Sequence, residues 1–154
     1  MRTIVCRKDL PLSKPLLNPY LGTWTYRSLT NDPDIATDFD KLEIRRAILV
    51  IDQDESGALA GTIGGPGEEL TLYGGFGAGA GEPCRFRASG TVEGIAMVLD
   101  FVAFRAPVWP NSTPAQQRPA LIGSVTRVIS HATATPGVIA PAGMVGSFYA
   151  VQQG

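Results

Sequence analysis

The chain has 154 residues, a size that suits one domain with its own hydrophobic core. Hydrophobic residues make up 44% and charged residues 18%, which is typical of a globular protein. The net charge of -1 argues against a DNA- or RNA-binding surface, which needs a basic excess, and a single His with two Cys leaves little for metal or nucleophilic chemistry.

The 18 Gly and 12 Pro residues fall between short apolar runs and divide the chain into many brief segments. Residues 1–20 are a Pro-rich lead-in that we expect to be extended. Beyond it, β-branched and aromatic residues recur between turn signals and predict about eight strands. The predicted strands are Gly22–Leu29, Leu42–Ile51, Ala58–Gly64, Glu69–Gly74, Cys84–Gly90, Ile95–Phe104, Ala120–Ser130 and Val145–Gln152.

The connections between these strands predict an all-β fold. Asp52–Gly57, Gly64–Gly67 and Gly90–Gly94 have hairpin length, and strands joined this way pair antiparallel. No stretch offers the helical crossover that parallel strands need. We therefore expect an antiparallel up-and-down β-barrel in a single domain over residues 1–154, because closure removes the free sheet edges.

Two long connections rich in Gly and Pro lie at one predicted end of this barrel. They are residues 74–82 and 106–119, which follow alternate strands. We expect this end to be the open mouth of the barrel. Trp109 supplies a large apolar surface that would fold over the mouth or pack against another subunit.

The start of the first strand resembles a known group of barrels. Gly22-Thr23-Trp24 resembles the Gly-x-Trp opening of the calycins, and the segment Ile48–Ile63 is similar to the second hairpin of the avidins. The resemblance implies an eight-stranded barrel with a ligand cavity at one mouth. Biotin is not expected as the ligand, because Tyr26 and Ile63 stand where avidins place contacting Asn and Tyr residues.

The same resemblance suggests a structural role for Trp24. In calycins this tryptophan plugs the closed end of the barrel beneath a basic side chain, and Arg46 and Arg127 are the candidates for that cation. A direct contact between Trp24 and a ligand is the alternative.

Five residues are the candidates for contact with a small-molecule ligand. Tyr26 and Ser28 share the strand parity of Trp24, so they are expected to face inward, where they would bond a ligand or one another. The complete set is Tyr26, Ser28, Asp100, Trp109 and Arg127.

Asp100 is also the candidate catalytic residue, and two interpretations remain open. It alternates with Val98, Val102 and Phe104. If that face lines the lumen, burial would raise the pKa of the carboxyl and suit it to proton transfer. Otherwise it pairs with an arginine on a neighbouring strand, namely Arg46, Arg87 or Arg127.

Three further motifs resemble functional sites. Asp52–Gly57 imitates half of a calcium loop, but Ile63 occupies the twelfth position, so a hairpin turn is expected. Gly74–Gly81 lacks the Lys of a phosphate loop, so we expect an inter-strand loop. His131 is interpreted as a general base, a heme ligand of the kind used by another Gly-Thr-Trp barrel family, or a loop residue capped by Thr133.

The chain shows no signal peptide and no apolar run long enough to cross a bilayer, so a cytoplasmic location without membrane association is expected.

Cys6 and Cys84 are too few for a disulfide framework and are expected to be reduced thiols, a bridge between them being the alternative. Strands such as Ile95–Phe104 are apolar on both faces, which favours a homo-oligomer, a dimer or tetramer.

Three functions remain. The leading hypothesis is a barrel that binds a mainly apolar small molecule, with no cofactor and no metal. The second is a cofactor-independent cyclase, isomerase or lyase in which Asp100 transfers a proton. The third is a structural oligomeric barrel with a filled lumen.

Overall fold

The computed structural model describes residues 18–79, 81–107 and 117–154. Within these ranges the chain forms strands, with one turn of 3-10 helix at Phe39–Lys41. The strands are β1 (Gly22–Thr30), β2 (Glu43–Gln53), β3 (Leu59–Gly65), β4 (Glu68–Gly75), β5 (Cys84–Val92), β6 (Ile95–Arg105), β7 (Ala120–Arg127), β8 (His131–Ala132), β9 (Ile139–Ala140) and β10 (Val145–Gln152). None of the described segments is a helix long and apolar enough to cross a membrane.

Eight of these strands close an antiparallel barrel in the order β1-β10-β7-β6-β5-β4-β3-β2. Closure occurs at β1, which pairs with β2 on one side and with β10 on the other. Trp24, for example, lies opposite Leu49 of β2 and Gln152 of β10. The prediction of an all-β, up-and-down barrel of eight strands is confirmed.

The short strands β8 and β9 form a separate hairpin inside the connection between β7 and β10. The sequence predicted that the seventh strand would continue to Ser130, but β7 ends at Arg127. His131 consequently belongs to the hairpin and not to the barrel wall.

Side chains alternate between the lumen and the outer surface because successive residues of a strand point to opposite faces. In β1 the buried residues are Trp24, Tyr26 and Ser28, whereas Thr25 between them is exposed. In β2 the same alternation buries Leu49 and Ile51. The inward parity predicted for Tyr26 and Ser28 is therefore confirmed.

One end of the barrel is closed by large side chains. Trp24 is fully buried there, and its Nε1 donates a hydrogen bond to the Tyr20 carbonyl oxygen at 3.1 Å. Tyr20 packs against Phe76, and its hydroxyl donates to the Glu82 carbonyl oxygen at 3.0 Å. These contacts confirm that Trp24 is a structural residue of the core.

The predicted cation over Trp24 was wrong for both candidates. Arg46 lies on the outer surface, where it pairs with Glu43. Arg127 lies at the opposite end of the barrel, where its Nη1 donates to the Pro141 carbonyl oxygen at 2.9 Å. The cation–π contact found among the described residues joins Arg27 to Tyr149, with 6.0 Å between the guanidinium carbon and the ring centroid.

Four aromatic rings fill the middle of the barrel. Phe86 and Phe101 stack with centroids 4.8 Å apart, and Tyr26 and Phe148 lie 5.3 Å apart. Phe101 and Phe148 connect the two pairs at 5.7 Å. This layer separates the closed end from the other half of the lumen.

The connections divide between the two ends of the barrel as an up-and-down topology requires. The strands β4 and β6 end, and β5 and β7 begin, at the closed end, where the β2–β3 turn also lies. The described flanks of the regions 74–82 and 106–119 therefore lie at one end, as predicted. The prediction that this end is open was wrong, because Tyr20, Trp24 and Phe76 fill it and the cavity lies at the other end.

Candidate functional site

A cavity of about 350 Å³ occupies the open half of the barrel. Its wall is formed by strands β1, β2, β3, β4, β6, β7 and β10, and its mouth is surrounded by the β1–β2, β3–β4 and β7–β10 connections. The volume falls within the range of roughly 300–1,000 Å³ that is usual for small-molecule pockets.

One side of the cavity is apolar. Its side chains come from β3, β4, β6 and β7, and they are Ile63, Leu70, Met97, Leu99 and Val125. They lie here because the inward positions of these four strands carry aliphatic residues. Such a wall favours the transfer of an apolar body from water into the lumen.

The opposite side carries a line of polar groups along β1. From the aromatic layer to the rim these groups are Tyr26, Ser28 and Thr30 of β1, followed by Asn31 just beyond the end of the strand. Tyr26 and Ser28 are each only 3% exposed. The lumen therefore has hydrogen-bonding groups on one side and aliphatic groups on the other.

Burial raises the pKa of the Tyr26 hydroxyl to about 12, while a hydrogen bond with Ser28 and the positive charge of Arg45 act in the opposite direction. The phenol is consequently neutral at physiological pH and retains a proton to donate. The structure thus brings Tyr26 and Ser28 into contact with each other and also places both on the cavity wall.

Three charged side chains lie near the mouth of the cavity. Arg45 Nη2 and Glu68 Oε2 are 3.7 Å apart, and both side chains are about 40% exposed, at 39% and 41%. Arg127, on β7, lines the same cavity. The sequence identified Arg127 as a candidate but missed Arg45 and Glu68, although Arg45 shares the inward parity of Leu49 and Ile51.

His131 also lines the mouth, and its Nδ1 lies 2.9 Å from the carbonyl oxygen of Ala132. A second groove of about 350 Å³ extends from the mouth along the β8–β9 hairpin and shares Arg45, Glu68 and Arg127 with the cavity. The polar rim is therefore common to both spaces.

Asp100 is placed on the outer surface of the barrel, so the expectation that it faces the lumen is corrected. It lies directly opposite Arg87 on β5, and the two form a bidentate pair with distances of 2.6 Å and 2.8 Å. The hydrogen bonds from Arg87 lower the pKa of Asp100. The alternative, in which Asp100 pairs with a neighbouring arginine, matches this arrangement.

Of the five candidate ligand residues, Tyr26, Ser28 and Arg127 therefore line one cavity, and Asp100 lies outside it. Trp109 lies outside the described residues.

The acidic β2–β3 turn is closed by its own side chains. Asp54 Oδ1 accepts hydrogen bonds from the Ser56 and Ala58 amides at 2.8 Å and 3.0 Å, and from the Ser56 hydroxyl at 2.6 Å. These bonds confirm the predicted hairpin turn. Among the described residues, no group of His, Cys, Asp and Glu side chains is arranged to hold a metal ion.

Cys84 is a buried free thiol at the closed end, and burial raises its pKa to about 12. A thiol in this state is a poor nucleophile, because the thiolate is the reactive form. Cys6 lies outside the described residues.

Comparisons with protein-family models, curated proteins and solved structures found no match to this chain. The functional argument therefore depends on the cavity itself.

Proposed function

We propose that the protein binds a mainly apolar small molecule in the open half of its barrel. The observation that carries this proposal is the cavity of about 350 Å³, with an aliphatic wall on one side and a line of polar groups on the other. The aliphatic wall supplies affinity through burial of apolar surface, and the polar line on β1 fixes the orientation of the bound molecule.

We also propose that the barrel is of the calycin type, like those of the avidins and lipocalins. The closed order of eight antiparallel strands supports this, as does the burial of Trp24 at the start of β1. The ligand is expected to differ from biotin, since Tyr26 and Ile63 replace the polar contacts of avidins and Tyr26 is packed into the aromatic layer.

The proton-transfer role of Asp100 loses its support. The carboxylate is fixed by Arg87 on the outer surface. Because its pKa is lowered, the group is deprotonated near neutral pH and has no proton to donate as a general acid. Binding without reaction is consequently the function that we propose.

Binding can be measured with a neutral fluorescent probe built on two fused rings, 6-propionyl-2-dimethylaminonaphthalene. We expect the wild-type protein to bind the probe with a saturable rise in fluorescence at one site per chain. Absence of saturable binding in the folded wild-type protein would contradict the proposal.

A matched pair of substitutions locates the bound probe. Ala47 lines the cavity, whereas Ala96 is exposed on the outer surface of β6. Ala47→Phe fills part of the cavity and is expected to weaken probe binding at least tenfold. Ala96→Phe adds the same group outside and is expected to leave the affinity unchanged. Equal effects of the two substitutions would show that the probe binds elsewhere.

A further inference from the structure

We infer that the ligand carries a negatively charged head group, a carboxylate, which Arg127 and Arg45 bind at the mouth while the apolar body occupies the lumen. This inference rests on the proposed function, because it specifies the ligand of the same cavity.

The charges on the cavity wall are unequal. Two guanidinium groups, Arg45 and Arg127, face one carboxylate, Glu68, among the described lining residues. One positive charge is therefore left without a counter-charge at the mouth of an otherwise apolar space. A ligand carboxylate would supply that counter-charge, and its oxygens match the two parallel N–H groups of a guanidinium.

The donors of both arginines are only partly used within the described structure. Arg127 Nη1 donates to the Pro141 carbonyl oxygen, and Arg127 forms no ion pair with a described carboxylate. Arg45 and Glu68 approach to 3.7 Å, which is an ion pair but is too long for a hydrogen bond. Since a guanidinium has five N–H donors, both side chains retain donors for a ligand.

The acidic residues of the β1–β2 connection do not cancel this charge. Asp32 accepts hydrogen bonds from the Asp34 amide at 2.9 Å and from the Thr37 hydroxyl at 2.8 Å, and Asp38 pairs with Lys41 at 3.6 Å. These side chains are exposed to water, and none of them lines the cavity. Glu93 lines the outer groove, but it is exposed on the β5–β6 turn. Solvent and salt screen such charges more strongly than those on the wall.

The size of the cavity sets the size of the apolar body. A cavity of roughly 150 Å³ is enough for one benzene ring. The space of about 350 Å³ therefore suits about two fused rings, with the head group at the mouth. Three compounds share this body and differ in charge: 2-naphthoate is an anion, 2-naphthalenemethanol is neutral, and 2-naphthylmethylamine is a cation at neutral pH.

The experiment measures the affinity of these three compounds by isothermal titration calorimetry. We expect 2-naphthoate to bind the wild-type protein about tenfold more tightly than 2-naphthalenemethanol, and the amine to bind most weakly. Equal affinities of the acid and the alcohol would overturn the charge inference and leave the proposed function intact. Tightest binding of the amine would do the same. If none of the three compounds binds, the proposed function itself fails.

Substitutions of Arg127 and Glu68, which are expected to change the affinity for 2-naphthoate in opposite directions, test the roles of these residues. Arg127→Gln is expected to lower the affinity for 2-naphthoate about tenfold and to leave the alcohol within twofold of wild type. Glu68→Gln removes the competing carboxylate and is expected to raise the 2-naphthoate affinity severalfold. Arg85→Gln is the matched control, since it removes the same charge from an exposed outer position on β5. An effect of Arg85→Gln as large as that of Arg127→Gln, or no rise with Glu68→Gln, would contradict the assignment.

Discussion

Trp24 shows what a single residue contributes to the closed end of the barrel. Its side chain is fully buried, and its indole N–H is bonded to the Tyr20 carbonyl oxygen. Replacing it with Ala would leave a large void. It would also leave the Tyr20 carbonyl oxygen without the hydrogen bond that the indole N–H donates to it.

We expect Trp24→Ala to lower the free energy of unfolding by about 3–5 kcal/mol, measured by urea denaturation. The matched control is Phe39→Ala, because Phe39 is 79% exposed, and this variant should change stability by about 0.5 kcal/mol or less. Similar losses in the two variants would show that Trp24 does not have the structural role assigned to it.

The Arg87–Asp100 ion pair is expected to make the stability of the fold depend on pH. The pKa of Asp100 is lower in the folded protein than in the unfolded chain, so the folded state favours the charged carboxylate. Its stabilising contribution is present above the unfolded pKa of about 3.9 and is lost as the pH falls through the folded pKa. Because the pair is partly exposed, with side chains 40% and 45% accessible, that contribution is expected to be at most about 1 kcal/mol.

We therefore expect Asp100→Asn to be slightly less stable than wild type at pH 7, with a difference that shrinks as the pH falls below about 4. Thermal unfolding across this pH range measures the difference. The variant should also bind 2-naphthoate like the wild type, since Asp100 lies outside the cavity. A loss of ligand binding in the folded variant would contradict this placement.

At the scale of the strands, β3 depends on a close approach between two backbones. Gly61 has φ 140°, and a Cβ at this position would lie 1.9 Å from the Val50 carbonyl oxygen of β2. Gly65 in the same strand has open space where its Cβ would be. The two glycines therefore differ in how far they tolerate a side chain.

We expect Gly61→Ala to reduce stability by about 2 kcal/mol or more, because the neighbouring strand must move and the backbone conformation disfavours L side chains. Gly65→Ala should change stability by less than about 1 kcal/mol in either direction. Urea denaturation measures the stability of both variants. A similar loss at both positions would show that the close approach of β2 and β3 does not depend on Gly61.

The strand β6 shows where the sequence pattern reaches its limit. The alternation predicts correctly that Asp100 shares a face with Val98, Val102 and Phe104, but it does not show which side of the barrel this face is on. Both faces of β6 are apolar, so hydrophobicity does not distinguish the lumen from the outer surface. The pairing of Asp100 with Arg87 distinguishes the outer face from the lumen. It can be recognised only when the register of β5 and β6 is known.

At the scale of the whole molecule, the eight strands and their closure were predictable, because short turns determine which strands pair. The open end was not predictable from the loops. It depends on the sizes of inward side chains, which decrease toward the open end from Trp24 to Ser28 in β1 and from Leu49 to Ala47 in β2. That gradient can be read only when strand register aligns residues from separate strands. The expected dimer or tetramer stays a prediction, which the mass measured in solution decides.

The pairing of β1 with β10 has a practical consequence for attachment of the protein to other molecules. Gly22 begins β1 and Gln152 ends β10 at the closed end, where the Gln153 amide donates to the Thr23 carbonyl oxygen at 2.8 Å. A chain joined after β10 therefore leaves the barrel on the side away from the cavity. A surface tether or a fused reporter at this position would leave the mouth facing solution and free to exchange ligand.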